Sequence, residues 1–154
     1  MEQDVVAFNL ASAQAAARDG QLAAWVDSYL RTSARPNVPF ADGLQLERRW
    51  WAAPRLILLD QLTRCSGPEP DMAFRVPAED WERYITLLAT DLTTPEALPP
   101  LIVQYRDGRR IISDGNSRHE AMRRRGWNAC WVLIWYTSEE EYFQDAEREE
   151  RSNR

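Results

Sequence analysis

The chain has 154 residues and a formal charge of −5, with seven Trp, five Tyr and four Phe to fill a core. That suits one compact domain, and no apolar run approaches the roughly 18 residues of a membrane span. All nineteen basic residues are Arg; Schiff-base, P-loop and kinase-strand lysines are therefore excluded, and bound phosphate must be held by Arg, backbone N–H groups or a metal ion.

In chain order, Val5, Val6, Leu10, Ala13 and Ala17 form a weak helical stripe ending at Asp19-Gly20. Leu22, Trp25, Val26, Tyr29 and Leu30 follow with a clear i, i+3, i+4 face, so residues 2–31 read as two helices. They are expected to cover a core, with a dimer surface as the weaker reading. Thr32 to Gly43, broken by Pro36 and Pro39, reads as a loop. Arg55 to Leu59 reads as a short strand and Thr63 to Asp71, rich in Gly and Pro, as another loop. A helix is expected from Ala78, with Trp81, Tyr84, Ile85, Leu88 and Leu92 as its buried stripe.

Leu101 to Tyr105 and Arg110 to Ser113 are strands, joined by the two-residue hairpin signal Asp107-Gly108. Ser117 to Arg125 is a helix closed by Gly126, and the apolar run Trp131 to Tyr136 should be a central strand. From Ser138 onward seven acids and three Arg give a charge of −4; an acidic helix with a frayed end is expected. The acidic start argues against a signal peptide and, with no run of membrane-span length, indicates a cytoplasmic protein; two cysteines are too few for a disulfide framework and too far apart in sequence for a metal motif. Cys65 and Cys130 read as reduced thiols.

The order strand, Asp114-Gly115-Asn116-Ser117-Arg118, helix carries the functional argument. A glycine allows a sharp turn close to a ligand. The helix start offers free N–H groups to an anion, and an Arg in the first turn adds a bidentate contact. The structural alternative is that Asn116 or Ser117 merely caps the helix.

Gly115-Asn116-Ser117-Arg118-His119-Glu120-Ala121 resembles the phosphate box of the ParB/sulfiredoxin superfamily, and the order of elements over residues 55–136 is similar as well. The resemblance implies an α/β (α+β) fold, a small mixed sheet with packed helices, at residues 51–137. A helical extension (1–50) would precede this core and an acidic helix or tail (138–154) would follow it. It implies nucleotide binding by Gly115, Asn116, Ser117 and Arg118, with His119 beside them and Arg64 and Arg75 from the earlier loop. By analogy with serine-kinase members, Glu69 and Asp114 would be catalytic in an ATP- or CTP-dependent phosphotransferase or nucleoside triphosphatase. Mg²⁺ would bridge the phosphates, and the acceptor would be a small hydroxyl compound. A nucleotide-sensing or protein-interaction module without catalysis is the alternative, and a ParB-like nuclease ranks third. Asn116 stands where sulfiredoxins need Cys, so their chemistry is not expected. No helix-turn-helix follows within these residues, so DNA is not an expected partner of this chain alone; a homodimer is left open.

Overall fold

A computed structural model describes residues 7–152; the expectation for Val5 and Val6 lies outside them. The first helix, α1 (Leu10–Arg18), starts with a reciprocal capping box. Ser12 N–H donates to Asn9 Oδ1 at 2.9 Å and Asn9 N–H to Ser12 Oγ at 3.1 Å, which satisfies two orphan donors of the first turn. Helix α2 (Leu22–Thr32) buries the predicted row Leu22, Trp25, Val26, Tyr29 and Leu30.

The expected loop 32–43 instead contains a third helix, α3 (Val38–Leu44), capped by Asn37, whose Oδ1 accepts from Phe40 N–H at 3.2 Å. Pro39 does not break it, because a first-turn residue has no intrahelical acceptor to lose.

Five strands form one mixed sheet. The long central strand β7 (Ala129–Tyr136) carries β1 (Trp50–Trp51) and β2 (Arg55–Leu58) antiparallel on one side. On its other side lies β5 (Leu101–Arg106), parallel to it, followed by β6 (Arg109–Asp114) antiparallel to β5. The central placement of β7 is as its apolar run predicts. The β5–β6 hairpin turns through Asp107 at φ 52° and Gly108 at φ 75°, the two left-handed positions that match strand twist. Inside the expected loop 63–71 lies β3 (Ser66–Gly67), which pairs in parallel with β4 (Phe74–Arg75) just beyond it. Helices α4 (Ala78–Asp91), α5 (Asn116–Arg124) and α6 (Glu139–Ser152) complete the α/β fold.

Alternation along the strands builds two cores, one on each sheet face. Leu101, Val103, Val132, Ile134 and Tyr136 pack on Trp81 and Ile85 of α4. Ile102, Leu133 and Trp135 face Trp25, Val26 and Leu30 of the N-terminal helices. Of the expected α4 stripe, Trp81, Ile85 and Leu92 are buried, while Tyr84 and Leu88 are half-buried.

The acidic C-terminal segment is held to this sheet by a buried charge. Asp145 is 0% exposed. Its Oδ1 accepts from Arg110 Nη2 at 2.8 Å, and its Oδ2 accepts from Tyr136 OH at 2.5 Å and Arg55 Nη1 at 3.3 Å. Glu149 adds a second carboxylate to Arg110. Cys130 is buried on β7, and burial pushes its thiol up to about 12, where it stays protonated and inert.

Candidate functional site

Strand β6 ends at Asp114, and the chain turns into α5 through Gly115 at φ 108°. A Cβ at Gly115 would lie 2.4 Å from Leu101 Cδ2 and 3.2 Å from an Arg118 nitrogen. Both the backbone angle and the space therefore require glycine. Gly115 is itself the N-cap and no side chain caps α5, so the structural alternative of a cap by Asn116 or Ser117 does not hold. The N–H groups at the start of α5 consequently have no intrahelical acceptor and point out of the helix end.

The side chain of Asn116 ties two segments of the chain together. Its Oδ1 accepts from Cys65 N–H at 2.8 Å and Ser66 N–H at 3.2 Å, and its Nδ2 donates to the Ile112 carbonyl at 3.4 Å. It fastens Cys65 and Ser66 to the start of α5. Cys65, half-exposed, donates its thiol to the Ile112 carbonyl at 3.0 Å and so stands on the cleft wall next to Asn116.

Arg118 is fixed by three elements. Nη1 donates to the Pro99 carbonyl at 2.5 Å, while Nη2 donates to Tyr29 OH at 3.1 Å and Asp114 Oδ2 at 3.3 Å. Tyr29 OH donates in turn to Asp114 Oδ2 at 3.4 Å. Burial raises the Tyr29 phenol above its ordinary value, partly countered by the Arg118 charge. The N-terminal helices are therefore a wall of the site as well as a cover for the core. Across the opening, the Arg35 guanidinium lies 3.7 Å from the Tyr84 ring centroid, a cation–π contact joining the segment before α3 to α4.

Arg64 lies on the cleft wall, packed 5.0 Å over the Trp81 ring, and ion-pairs with Glu69. The Arg64 hydrogen bonds hold the Glu69 carboxyl below the usual carboxylate range. Glu69 itself and Arg75, exposed on β4, do not line the cleft. Arg64 thus shares the cleft wall with residues 114–118, and Glu69 and Arg75 do not. His119 is buried; its Nε2 faces the Leu59 carbonyl at 2.8 Å and so carries the proton. Burial lowers its pKa. The ring is the neutral tautomer, and its one visible hydrogen bond runs away from the loop.

These residues surround one open cleft of about 1820 Å³. Six arginines line it, Arg35, Arg64, Arg106, Arg109, Arg118 and Arg123, against three acids, Asp71, Asp114 and Glu120. In a chain of net charge −5 this is a local reversal of sign, which concentrates anions there. Among the described residues no group of three or more His, Cys, Asp or Glu could hold a metal by itself. Sequence reasoning missed Tyr29, Arg35, Tyr84 and Cys65. Tyr29 and Tyr84 sat in apolar stripes that pointed to the core, and nothing local marked the other two.

No protein-family model matches the chain, and no curated protein matches it in sequence. Among solved structures it is similar to sulfiredoxin from Arabidopsis thaliana, at 20% identity and a TM-score of 0.40, over 53% of this chain and 82% of that one. It is also similar to C-terminally truncated chromosome-partitioning protein ParB from Caulobacter crescentus complexed with CTP-gamma-S. Identity there is 19% and the TM-score 0.40, over 57% of this chain and 47% of the other. A Pnob8-like ParB-N domain matches at 13% identity and a TM-score of 0.36, over 64% of this chain and 34% of its own. At these values the likeness concerns the fold alone.

Proposed function

We propose that the cleft binds a nucleotide, ATP or CTP, with its phosphates at the start of α5 and against Arg118. The observation that carries this reading is the glycine-forced helix start facing an arginine-lined cleft, with Arg118 already anchored at its edge. Backbone N–H groups there accept no constraint on sequence and suit phosphate oxygens. A guanidinium held on two sides loses little freedom on binding, and each charge-assisted hydrogen bond contributes roughly 1.5–3 kcal/mol. Met72, Phe74, Tyr84 and Leu88 line the same cleft and offer apolar and aromatic surface to a base.

Mg²⁺ fits this arrangement only as a companion of the phosphates. Asp114 borders the loop and both of its contacts fall on Oδ2, so Oδ1 is the oxygen left to face an ion. One carboxylate with phosphate oxygens and water suits a cation that keeps most of its waters. When bound, the ion would neutralise phosphate charge; Arg118 and the helix start would orient the phosphates.

Phosphoryl transfer to a small hydroxyl acceptor is the narrower reading. Asp114 lies on the cleft wall, whereas Glu69 serves it only by exchanging Arg64 for the acceptor, because a base must come within hydrogen-bond reach of its proton. If ATP or CTP turnover is found, Glu69→Gln should lower it roughly 10²–10⁴-fold under that reading. Wild-type turnover in the variant leaves nucleotide binding without that base.

The binding reading is tested by calorimetric titration with ATP and CTP, with and without Mg²⁺. Arg118→Ala should weaken affinity by roughly 2 kcal/mol, about thirtyfold, in a protein that still unfolds cooperatively, although it melts lower for want of the Pro99, Tyr29 and Asp114 contacts. Equal affinity in the variant removes the assignment.

A further inference from the structure

The cleft is larger than the roughly 300–1,000 Å³ of a single small-molecule site, and its charge does not stop at the phosphate loop. From Gly115 it continues along the sheet face beneath α3, over Ser113, Ile111 and Gln104, to Arg106 and Arg109 at the β5–β6 hairpin. Arg106 and Arg109 are register partners, so both side chains stand on this one face. Like charges directly opposite in a strand pair repel and cost stability. Neither has an ion-pair partner among the described residues, although Asp107 lies between them.

The next residue shows the contrast. Arg110 points to the opposite face, where it is 5% exposed and receives both Asp145 and Glu149. One hairpin therefore neutralises its inward arginine with two carboxylates and leaves its two cleft-facing arginines opposed to each other.

We infer that Arg106 and Arg109 form a second anion subsite, which takes a small carboxylate- or phosphate-bearing compound separate from any nucleotide. The six residues from Arg109 to Gly115, at about 3.4 Å each, put it about 20 Å along the groove from the loop, beyond the reach of a triphosphate tail anchored there. An oxyanion between the two guanidiniums replaces their repulsion with charge-assisted hydrogen bonds. The inference stands on the hairpin and does not depend on what occupies the loop.

The test is backbone-amide NMR of the ¹⁵N-labelled protein titrated with inorganic phosphate and, separately, with succinate. Saturable shifts are expected at residues 104–111, with the better of the two probes naming the anion. They should be lost in Arg106→Ala/Arg109→Ala, with the dissociation constant raised about tenfold or more. Because both side chains are exposed, that variant should keep its fold, and its spectrum reports this directly. Arg118→Ala should leave the hairpin shifts in place. Shifts confined to residues 114–120 in the wild type, or hairpin shifts that survive the double substitution, overturn the subsite. Failure of ATP and CTP to bind in the calorimetric titration sinks the nucleotide reading and spares this one.

Discussion

Two arginine clusters flank the same sheet and use the same side chains for opposite ends. Around Asp145, Arg110 and Arg55 meet a carboxylate that is 0% exposed and also bonded by Tyr136. Every charge there is matched, and the network closes α6 onto the sheet. In the cleft, Arg118 retains 15% exposure and shares Asp114 with a tyrosine, while Arg35, Arg106 and Arg109 have aromatic rings, one another or solvent as neighbours. Around Asp145 the charges are paired and buried, whereas the cleft combines paired arginines with Arg35, Arg106 and Arg109, which have no ion pair among the described residues, and such an excess attracts anions.

The largest expected effect falls on the sealed cluster. Asp145→Asn removes the carboxylate shared by Arg110, Arg55 and Tyr136; Glu149 still serves Arg110 and Arg55 is partly exposed, so the protein should lose about 3 kcal/mol, the lower end for breaking a buried ion pair. Denaturant unfolding monitored by tryptophan fluorescence reads this directly. A loss below about 1 kcal/mol would mean that water or another group already serves the arginines, and the distinction between the clusters would fail.

The two clusters also differ in how much of them shows in the sequence. The β7 run, the Asp107-Gly108 hairpin, the two N-terminal helices and the start of α5 are local patterns, and the structure has them where the residues indicate. The rest depends on partners far away in the chain. Asp145 sits in a stretch with seven acids that looks like a solvated tail, and only the docked helix reveals a carboxylate aimed at Arg110, 35 residues earlier. Asn116 looks like a helix cap until the fold brings Cys65, 51 residues away, to its side chain. Helix α3 was hidden by Pro36, Pro39 and Gly43, which read as loop punctuation although a first-turn proline is compatible with a helix. Glu69 and Arg75 were placed by the resemblance alone, and their side chains are not on the cleft wall.

On the cleft side, Glu120 is 4% exposed on α5 and bonded by Arg123 and Arg124. Burial by itself would raise its pKa; the two guanidiniums overcome that and lower it from 4.5 to about 2. A carboxylate depressed in the folded state contributes stability in full above its unfolded pKa and loses it as pH falls through the folded one. The stability difference between wild type and Glu120→Gln should therefore be constant above about pH 5 and shrink toward pH 2. Because Arg123 is largely exposed, about 2 kcal/mol is expected at neutral pH. A difference independent of pH down to 2 would assign the effect to packing instead of charge.

The smallest effect is the sharpest test, because Tyr29 joins the N-terminal helices to the cleft cluster. Its ring is stacked on Trp25 and set edge-on to Phe8, with centroid distances of 5.4 Å in both cases. Tyr29→Phe keeps those contacts and deletes one hydroxyl, which bridges Arg118 at 3.1 Å and Asp114 at 3.4 Å. Both bonds are long and the direct Asp114–Arg118 pair at 3.3 Å remains, so stability should fall by about 1 kcal/mol or less. Arg118 then keeps Pro99 on Nη1 and Asp114 on Nη2 but loses the second of its two Nη2 contacts, and nucleotide affinity should drop about three- to fivefold. The phenol titrates only above its ordinary value, so the loss should be the same from pH 6 to pH 9. A loss of 3 kcal/mol or more in stability would instead show that the hydroxyl belongs to a matched, structural network like that of Asp145. Arg118 would then be a strut between two layers, and the phosphates would have to rely on the backbone of α5.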